Sequence, residues 1–430
     1  MTINTRKEHD YWDPNRTGFV TNYPNFMQWR RMESGQMGTE GKPLNLYLHT
    51  PFCVQRCSYC YYKTTNLRGT DKNARMERYV NALCQEIKLA ADHYQLGNRP
   101  INSIYFGGGT PSLLPEALLE RVAQTLQDTF KLGHQPEFTL EAEPITLTPG
   151  KAELLKSLNV NRISMGVQSF DDGIIKGSNR SDSEKKALKA IEIAKQTGAV
   201  INIDLMSGLA GETMDTWRHS VGRALSTGVE SITVYKTELY TNSTYYKQLR
   251  DQTIVLPSDE EELVYMQYAQ DRLMEAGYQP WSFYTFTKNG ENVHKHSPSI
   301  FRGDDCYAFG VSAFGRLGDW VFQNSNEEER YLQFIDEGQI PVQRGHFLTS
   351  QDNMTRDVVL TMKLVSLNLD NFQAKYGFRL EKLCADAIGE LRNEGYIDVS
   401  EEEIRLTPKG VLHGDYSGKR IAQSLMRMYH

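Results

Sequence analysis

Between Leu44 and Thr237, six short apolar runs of strand length alternate with five amphipathic stretches of helical period. This rhythm limits the fold more than any other feature of the 430-residue chain. The strands are expected at 44–50, 102–106, 137–142, 161–167, 200–206 and 231–237, with helices at 74–94, 114–130, 150–159, 182–198 and 214–228. Strand followed by helix, repeated, demands a parallel sheet with right-handed crossovers. Six such strands fit a partial (β/α)6 barrel, in which ligands gather at the C-terminal ends of the strands.

The first run opens directly into Cys53, Cys57 and Cys60, within LYLHTPFCVQRCSYCYY. Spacings of three and two residues suit an iron–sulfur cluster, because three thiolates hold three irons of a cubane and leave the fourth open to another ligand. A zinc-stabilised scaffold is the alternative, although zinc would ask for a fourth Cys or His at matched spacing and the sequence offers none there. Cys84, Cys306 and Cys384 are scattered and read as free thiols of a reducing, cytoplasmic compartment. A net charge of −6 with both signs interspersed argues against a nucleic-acid partner, and no signal peptide or membrane span is expected.

The C-x-x-x-C-x-x-C run resembles the signature of radical S-adenosylmethionine (SAM) enzymes. Tyr47-x-His49-x-Pro51-Phe52-Cys53 resembles the start of the oxygen-independent coproporphyrinogen III oxidase-like family. The resemblance implies a [4Fe–4S] cluster on the three cysteines. Its open iron would bind SAM, which is cleaved to a 5′-deoxyadenosyl radical with electrons from a flavodoxin- or ferredoxin-type donor. A second SAM can bind beside the first in such enzymes, as methyl donor or oxidant. The resemblance also implies catalytic roles for Tyr47 and His49, and cofactor contacts for Tyr47, Phe52 and Tyr59, the last against adenine.

Further motifs fall in order along the strands. Phe106-Gly107-Gly108-Gly109-Thr110-Pro111-Ser112 follows a strand and precedes a helix, and glycines there let backbone approach a ligand. It resembles the family segment whose backbone meets the SAM amino group. Glu141 and Glu143 end the third strand, and alternation puts them on one face. Glu141 is read either as a SAM contact or as a partner of a barrel lysine. Gln168 and Arg180 stand at the interval at which the family's Gln and Arg contact SAM, the arginine by its fork on the carboxylate. Asp204 and Met206, in NIDLMSGLAGET, resemble the family's ribose-binding segment, with Ala210 in place of its usual proline. Lys236 and Glu238, at the sixth strand, either pair with each other or serve substrate carboxylates and proton transfer.

Two departures bear on the substrate. Tyr61 and Tyr62 follow Cys60 where the coproporphyrinogen-oxidising members carry a fourth cysteine, and HKHSPSIFRGDD replaces the H-N-x-x-Y-W stretch of the heme-chaperone relatives. His294 and His296 in that segment either meet a tetrapyrrole or metal or are solvated. The substrate is thus expected to be a tetrapyrrole or another organic natural product, acted on by an oxidoreductase or C-methyltransferase. A heme chaperone of the same family, or coproporphyrinogen III decarboxylation proper, is the alternative.

Four regions are expected: an N-terminal arm at 1–43, the barrel at 44–240, an extension and connecting region at 241–353, and a winged-helix-like α+β cap at 354–430. The arm is read as packing across the barrel mouth or as a plain surface extension. Asp304 to Phe314 is read as a small-residue turn against the mouth, and Leu406-Thr407-Pro408-Lys409-Gly410 as a hairpin in the cap.

Overall fold

The computed structural model describes residues 23–32, 37, 43–67, 71–133 and 136–428. The six expected strands are β1 (Leu44–Thr50), β2 (Ile101–Gly108), β3 (Glu137–Ala142), β4 (Arg162–Gln168), β5 (Val200–Ser207) and β6 (Ser231–Lys236), each hydrogen-bonded in parallel to the next. Helices α1 (Lys72–His93), α2 (Glu116–Thr129), α3 (Pro149–Ser157), α4 (Glu184–Lys195) and α5 (Met214–Thr227) make the crossovers. Thr148, Ser183 and Thr213 cap the last three by accepting from the amides of Lys151, Lys186 and Thr216.

Alternation along these strands separates two chemistries. Leu44, Leu46, Leu48, Ile104, Phe106, Ile163, Ile203 and Ile232 are buried in the apolar core. The opposite face is polar and hydrogen-bonded to itself. Ser103 Oγ donates to Asn45 at 2.7 Å, Asn202 donates to Ser164 Oγ at 3.0 Å, and Ser231 Oγ donates to Asn202 at 2.7 Å. Buried polar groups that are mutually satisfied hold the barrel open without an apolar filling.

After β6, Ser258 and Glu261 form a capping box that starts α6 (Asp259–Glu275). A hairpin, β7 (Tyr278–Pro280) and β8 (Thr285–Lys288), then adds antiparallel to β6. The segment read as a turn is instead a strand, β9 (Asp305–Phe309), parallel to β1. Ala308 and Gly310 gave it the look of a turn, yet all five residues of β9 are buried, as an internal parallel strand requires. Gly310, at φ +98°, ends it. An antiparallel meander, β10 (Phe314–Leu317), β11 (Trp320–Asn324) and β12 (Val342–Phe347), completes that side, with α7 (Glu328–Asp336) between β11 and β12.

The described part of the N-terminal arm pairs Arg30–Arg31 with β12 and buries Trp29 and Met32. It thus lies at the far edge of the 13-stranded sheet and not across the barrel mouth. The rest of the arm, Tyr11, Trp12 and Phe19 included, lies outside the described residues.

The C-terminal part has a core of its own, in which Val358, Leu367, Leu391, Ile404 and Ile421 surround Phe283 from the hairpin. Its helix α8 (Ser350–Thr361) leads to a three-stranded antiparallel sheet of β13 (Ser366–Asn368), β14 (Ile397–Val399) and β15 (Glu403–Leu406). Helix α9 (Ala385–Asn393) packs on β14, and α10 (Tyr416–Arg427) packs on α8 and α9. The hairpin is β14–β15; Leu406-Thr407-Pro408-Lys409-Gly410 is not one. Thr407 accepts from Gly410 N at 3.1 Å and caps the helix Pro408–Leu412, the usual use of Thr-Pro at a helix start. Among the described residues no helix is long and apolar enough to cross a membrane.

Candidate active site

A cavity of about 480 Å³ opens at the C-terminal ends of the barrel strands, lined on one side by Cys53, Cys57 and Cys60. The cysteine loop is tied down from three directions. Phe52–Cys53 pairs with Thr65–Asn66, Ser58 N donates to Ser178 O at 3.0 Å, and Tyr245 N donates to Ser58 O at 2.9 Å. Arg56 donates to the carbonyls of Cys60 and Asn242 at 3.2 and 3.1 Å. Burial pushes the Cys53 thiol up to about 12 and Cys60 to about 11, so a cation must supply the charge that makes them thiolates. Among the described residues no three His, Cys, Asp or Glu side chains converge to hold a single metal ion. A cubane differs in placing each thiolate on its own iron.

Arg180 is the hub beside the loop. Its NH1 approaches Cys57 Sγ at 3.4 Å and donates to Tyr59 Oη at 3.2 Å, and its NH2 donates to Gly166 O at 2.7 Å. The fork assigned from sequence to a SAM carboxylate is already engaged, because Nε and NH2 both donate to Asp182 Oδ2, at 3.1 and 2.6 Å. Glu143 lies 3.7 Å from NH1. Only the NH1 edge is therefore turned toward the cysteines. Asp182 was missed; its place two residues after Arg180 was the available signal.

The glycine turn is built by exclusion. Gly108 has φ +106°, and a Cβ there would meet the His49 ring at 2.5 Å. One at Gly109 would meet Phe52 O at 2.5 Å, and one at Gly107 would meet Glu141 at 2.8 Å. The amides of Gly108, Gly109 and Thr110 are committed to Glu141 (2.9 Å), Thr50 O (2.6 Å) and Phe52 O (2.7 Å). A ligand ammonium thus meets carbonyls, not amides, at this turn.

Glu141 also accepts from Tyr105 Oη at 2.6 Å. Burial, with Asp204 repelling it, raises Glu141 to about 7. Asp204 accepts from Asn202 at 2.8 Å and from Ser164 at 3.3 Å, and burial raises it to about 6. Gln168 holds φ +70°, and its Oε1 is buried without a hydrogen-bond partner beside the cavity it lines. Met206 and Glu238 border the same space.

Five residues expected at the site do not border the cavity. Phe52 is fully buried and meets Tyr79 edge to face. Tyr47 and His49 point into the barrel below the strand ends, with Tyr47 Oη 3.0 Å from His49 Nδ1. Gly107 and Thr110 lie behind the turn. Position along the strand does not decide this: Phe52 and Thr110 follow their strands yet are buried away from the cavity, whereas Glu141, Asp204 and Met206 lie within strands and line it.

Lys236 needs a similar correction. It borders the cavity, but alternation sets it on the outer face with Ile232 and Val234, and its Nζ lies 3.0 Å from Glu262 and 3.7 Å from Asp259, both on α6. Glu238 falls beyond β6, so the two do not share a strand face. The inward residue is Tyr235, in register with Met206 and stacked on Tyr284 at 5.5 Å; strand parity could have found it. His294 and His296 are buried, not solvated, and sit at the opposite end of the barrel. His294 Nε2 is 3.1 Å from Glu137, the first residue of β3, and His296 Nδ1 is 2.8 Å from Ser103 Oγ, near the start of β2. They meet neither the cysteines nor the cavity.

A six-stranded parallel barrel whose first loop carries three thiols at its mouth, followed by a compact helical cap, defines a class. Residues 47–224 match the model of the radical SAM superfamily, and residues 348–413 match that of the HemN C-terminal domain. The chain belongs to the radical SAM superfamily, within its oxygen-independent coproporphyrinogen III oxidase-like family. It is 29% identical to the heme chaperone HemW of Bacillus subtilis (strain 168) over 373 residues, 86% of this chain and 96% of that protein. With the oxygen-independent coproporphyrinogen III oxidase of Salmonella typhimurium the identity is 28%, over 86% of this chain and 83% of that one. The solved structure of coproporphyrinogen III oxidase (HemN) from Escherichia coli superposes with a TM-score of 0.80 at 25% identity, covering 95% of this chain and 96% of its own.

The cofactors of this family are a [4Fe–4S] cluster and SAM, and the residues present fit them. Three thiols on the mouth loop match the donor set that such a cluster needs. The cradle that a Cβ would fill at Gly108 and Gly109, and the unpartnered Gln168 Oε1, suit a polar ligand lying against the strand ends.

Proposed function

We propose that this chain is a working radical SAM enzyme acting on a tetrapyrrole or a similarly extended, carboxylate-bearing organic substrate. When bound, the cluster and SAM supply a primary carbon radical by one-electron cleavage of the sulfonium. Cys53, Cys57 and Cys60 would hold the cluster. Carbonyls of the Gly107–Gly109 turn and the Glu141 carboxylate would take the SAM ammonium, Asp204 the ribose hydroxyls, and Tyr59 the adenine. Arg180 would hold Tyr59 and the cysteine loop in place while offering NH1 to the SAM carboxylate.

The observation that carries the reading is the cavity itself, which runs from the three cysteines to a wall of Tyr235, Tyr284, Phe301 and Lys363. Lys363 comes from the C-terminal part, held by Asp415 at 2.8 Å and lying over the Phe283 ring at 4.8 Å. Flat aromatic faces beside a lysine suit a flat, anionic substrate. The B. subtilis relative favours a second reading, a heme chaperone without turnover. Anaerobic reconstitution with iron and sulfide, followed by SAM, reductant and candidate tetrapyrroles, separates the two. Release of 5′-deoxyadenosine with a mass change in the tetrapyrrole supports the enzyme; stoichiometric heme binding with no SAM cleavage under any condition supports the chaperone.

A further inference from the structure

Arg56 stands between the first two cysteines of the mouth loop, and its half-buried side chain borders the cavity beside them. Two other segments hold it. Asn179 donates to Arg56 O at 2.8 Å. The Arg56 guanidinium donates through NH2 to Cys60 O at 3.2 Å and to Asn242 O at 3.1 Å, and Asn242 Nδ2 donates to Tyr61 O at 2.8 Å. Asn242 thus grips the loop through Arg56 and Tyr61 at once, which fixes where the positive charge sits.

What this guanidinium lacks is a counter-ion. Its partners are neutral carbonyls, its Nε is buried without a hydrogen-bond partner, and no carboxylate pairs with it among the described residues. Arg180, the other arginine at the thiols, differs: Asp182 at 2.6 Å and Glu143 at 3.7 Å already balance it. Of the two guanidiniums that border the cysteines, Arg56 is therefore the one that brings net positive charge. A cation drawn partly out of water without a counter-charge is unfavourable in the apo chain. Three thiolates and their cluster, anionic as a unit, offset that cost once they lie beside it.

We propose that Arg56 is the counter-charge of the cluster and raises its reduction potential, by stabilising the reduced form more than the oxidised one. The proposal rests on the radical SAM reading above. On reduction one electron passes from the external reductant to the cluster and no bond forms or breaks, so the negative charge beside Arg56 grows. A fixed cation close by favours the more negative state, and net charge is among the terms that set such potentials. The apo-protein shows the same direction: burial pushes the Cys60 thiol up, and the charge of Arg56 works against that push. An arginine that only tied the loop to Asn242 would affect cluster assembly and leave the potential where it was.

The test compares anaerobically reconstituted wild type, R56K, R56M and a control, R392M, at an arginine exposed on α9. Each is titrated with dithionite and redox mediators in the absence of SAM, read by the electron paramagnetic resonance of the reduced cluster, and its iron content is measured. R56M should lower the equilibrium constant for one-electron reduction at least about tenfold, a shift of about 59 mV to more negative potential. R56K keeps the charge and gives up the fork to the two carbonyls, so it should stay within about threefold of the wild type. R392M should match the wild type. Equal potentials in R56M and wild type, or equal shifts in R56K and R56M, overturn the counter-charge. If R56M takes up no iron, R56K loaded to the wild-type level supports the charge, and R56K equally empty overturns it. Wild type that assembles no cluster overturns the radical SAM reading and the proposal together. Shifted potentials in a protein that never cleaves SAM leave the counter-charge standing and remove the enzymatic reading alone.

Discussion

The Arg180 guanidinium and the Cys57 thiol stand 3.4 Å apart, NH1 to Sγ, so the cation expected to read the cofactor also touches the loop that would hold the cluster. Asp182 pins that guanidinium from behind, and Tyr59 and Gly166 share it. Arg180 thus braces the cysteine loop as well as being the proposed contact of the SAM carboxylate.

Arg180 and Asp182 have side chains only 4% and 3% exposed, so removing one strands the other. D182A should lower the stability of the apo-protein by about 3 kcal/mol in chemical denaturation, since breaking a buried pair leaves a charge uncompensated. R180K should keep part of that stability, yet bind SAM more weakly than wild type because an ammonium cannot serve Asp182, Gly166 and a ligand together. Unchanged SAM affinity in R180K would remove the contact with the cofactor.

Cluster assembly should depend on the three mouth cysteines alone. Anaerobically reconstituted protein is expected to be brown with about four irons per chain. Replacing Cys53, Cys57 and Cys60 together by alanine should abolish the colour and the iron. The same change at Cys84, Cys306 and Cys384, buried elsewhere, should leave the iron content as it is.

The raised carboxyl groups give stability a definite pH direction. Glu86 and Glu141 at about 7, Asp204 at about 6 and Glu212 at about 8 all lie above their unfolded values. Over that interval these carboxyls make the native state hold more protons than the unfolded chain. Below about 6.5 the buried His49, His294 and His296, held below their unfolded value, offset this because the unfolded chain takes up their protons, so apo-protein stability should fall as pH rises from about 6.5 to 8. E141Q should reduce the slope between about 5 and 7 only. SAM that uses an ionised Glu141 should bind more tightly as pH rises through 7, by up to about tenfold in the wild type relative to E141Q. Parallel pH profiles for the two proteins would detach Glu141 from the ligand.

Ordinary coproporphyrinogen III decarboxylation is not the expected reaction. Tyr61 and Tyr62 follow Cys60, and in the fold Tyr61 is sandwiched, its ring 4.4 Å from Tyr62 and 4.0 Å from Tyr240. An aromatic stack there replaces a thiol by a bulky wall. With coproporphyrinogen III supplied, SAM cleavage should proceed without protoporphyrinogen. Product carrying two vinyl groups, at a yield matching SAM consumption, would overturn this.

Much of the barrel was legible along the chain, since periodicity of two and of 3.6 is a local property and each strand ran within two residues of its reading. The cysteine loop was legible for the same reason, three thiols being close in sequence before any folding. β9 was not, because five buried residues become a strand only once β1 supplies their partner. Which carboxylate holds Arg180, that Tyr235 and not Lys236 turns toward Asp204, and that His294 and His296 close the far end of the barrel were likewise decided in three dimensions. Ion pairs such as Lys236 with Glu262 join residues 26 apart in sequence. Their choice of partner follows from which faces the helices bury, and burial is a property of the assembled barrel, not of any one segment.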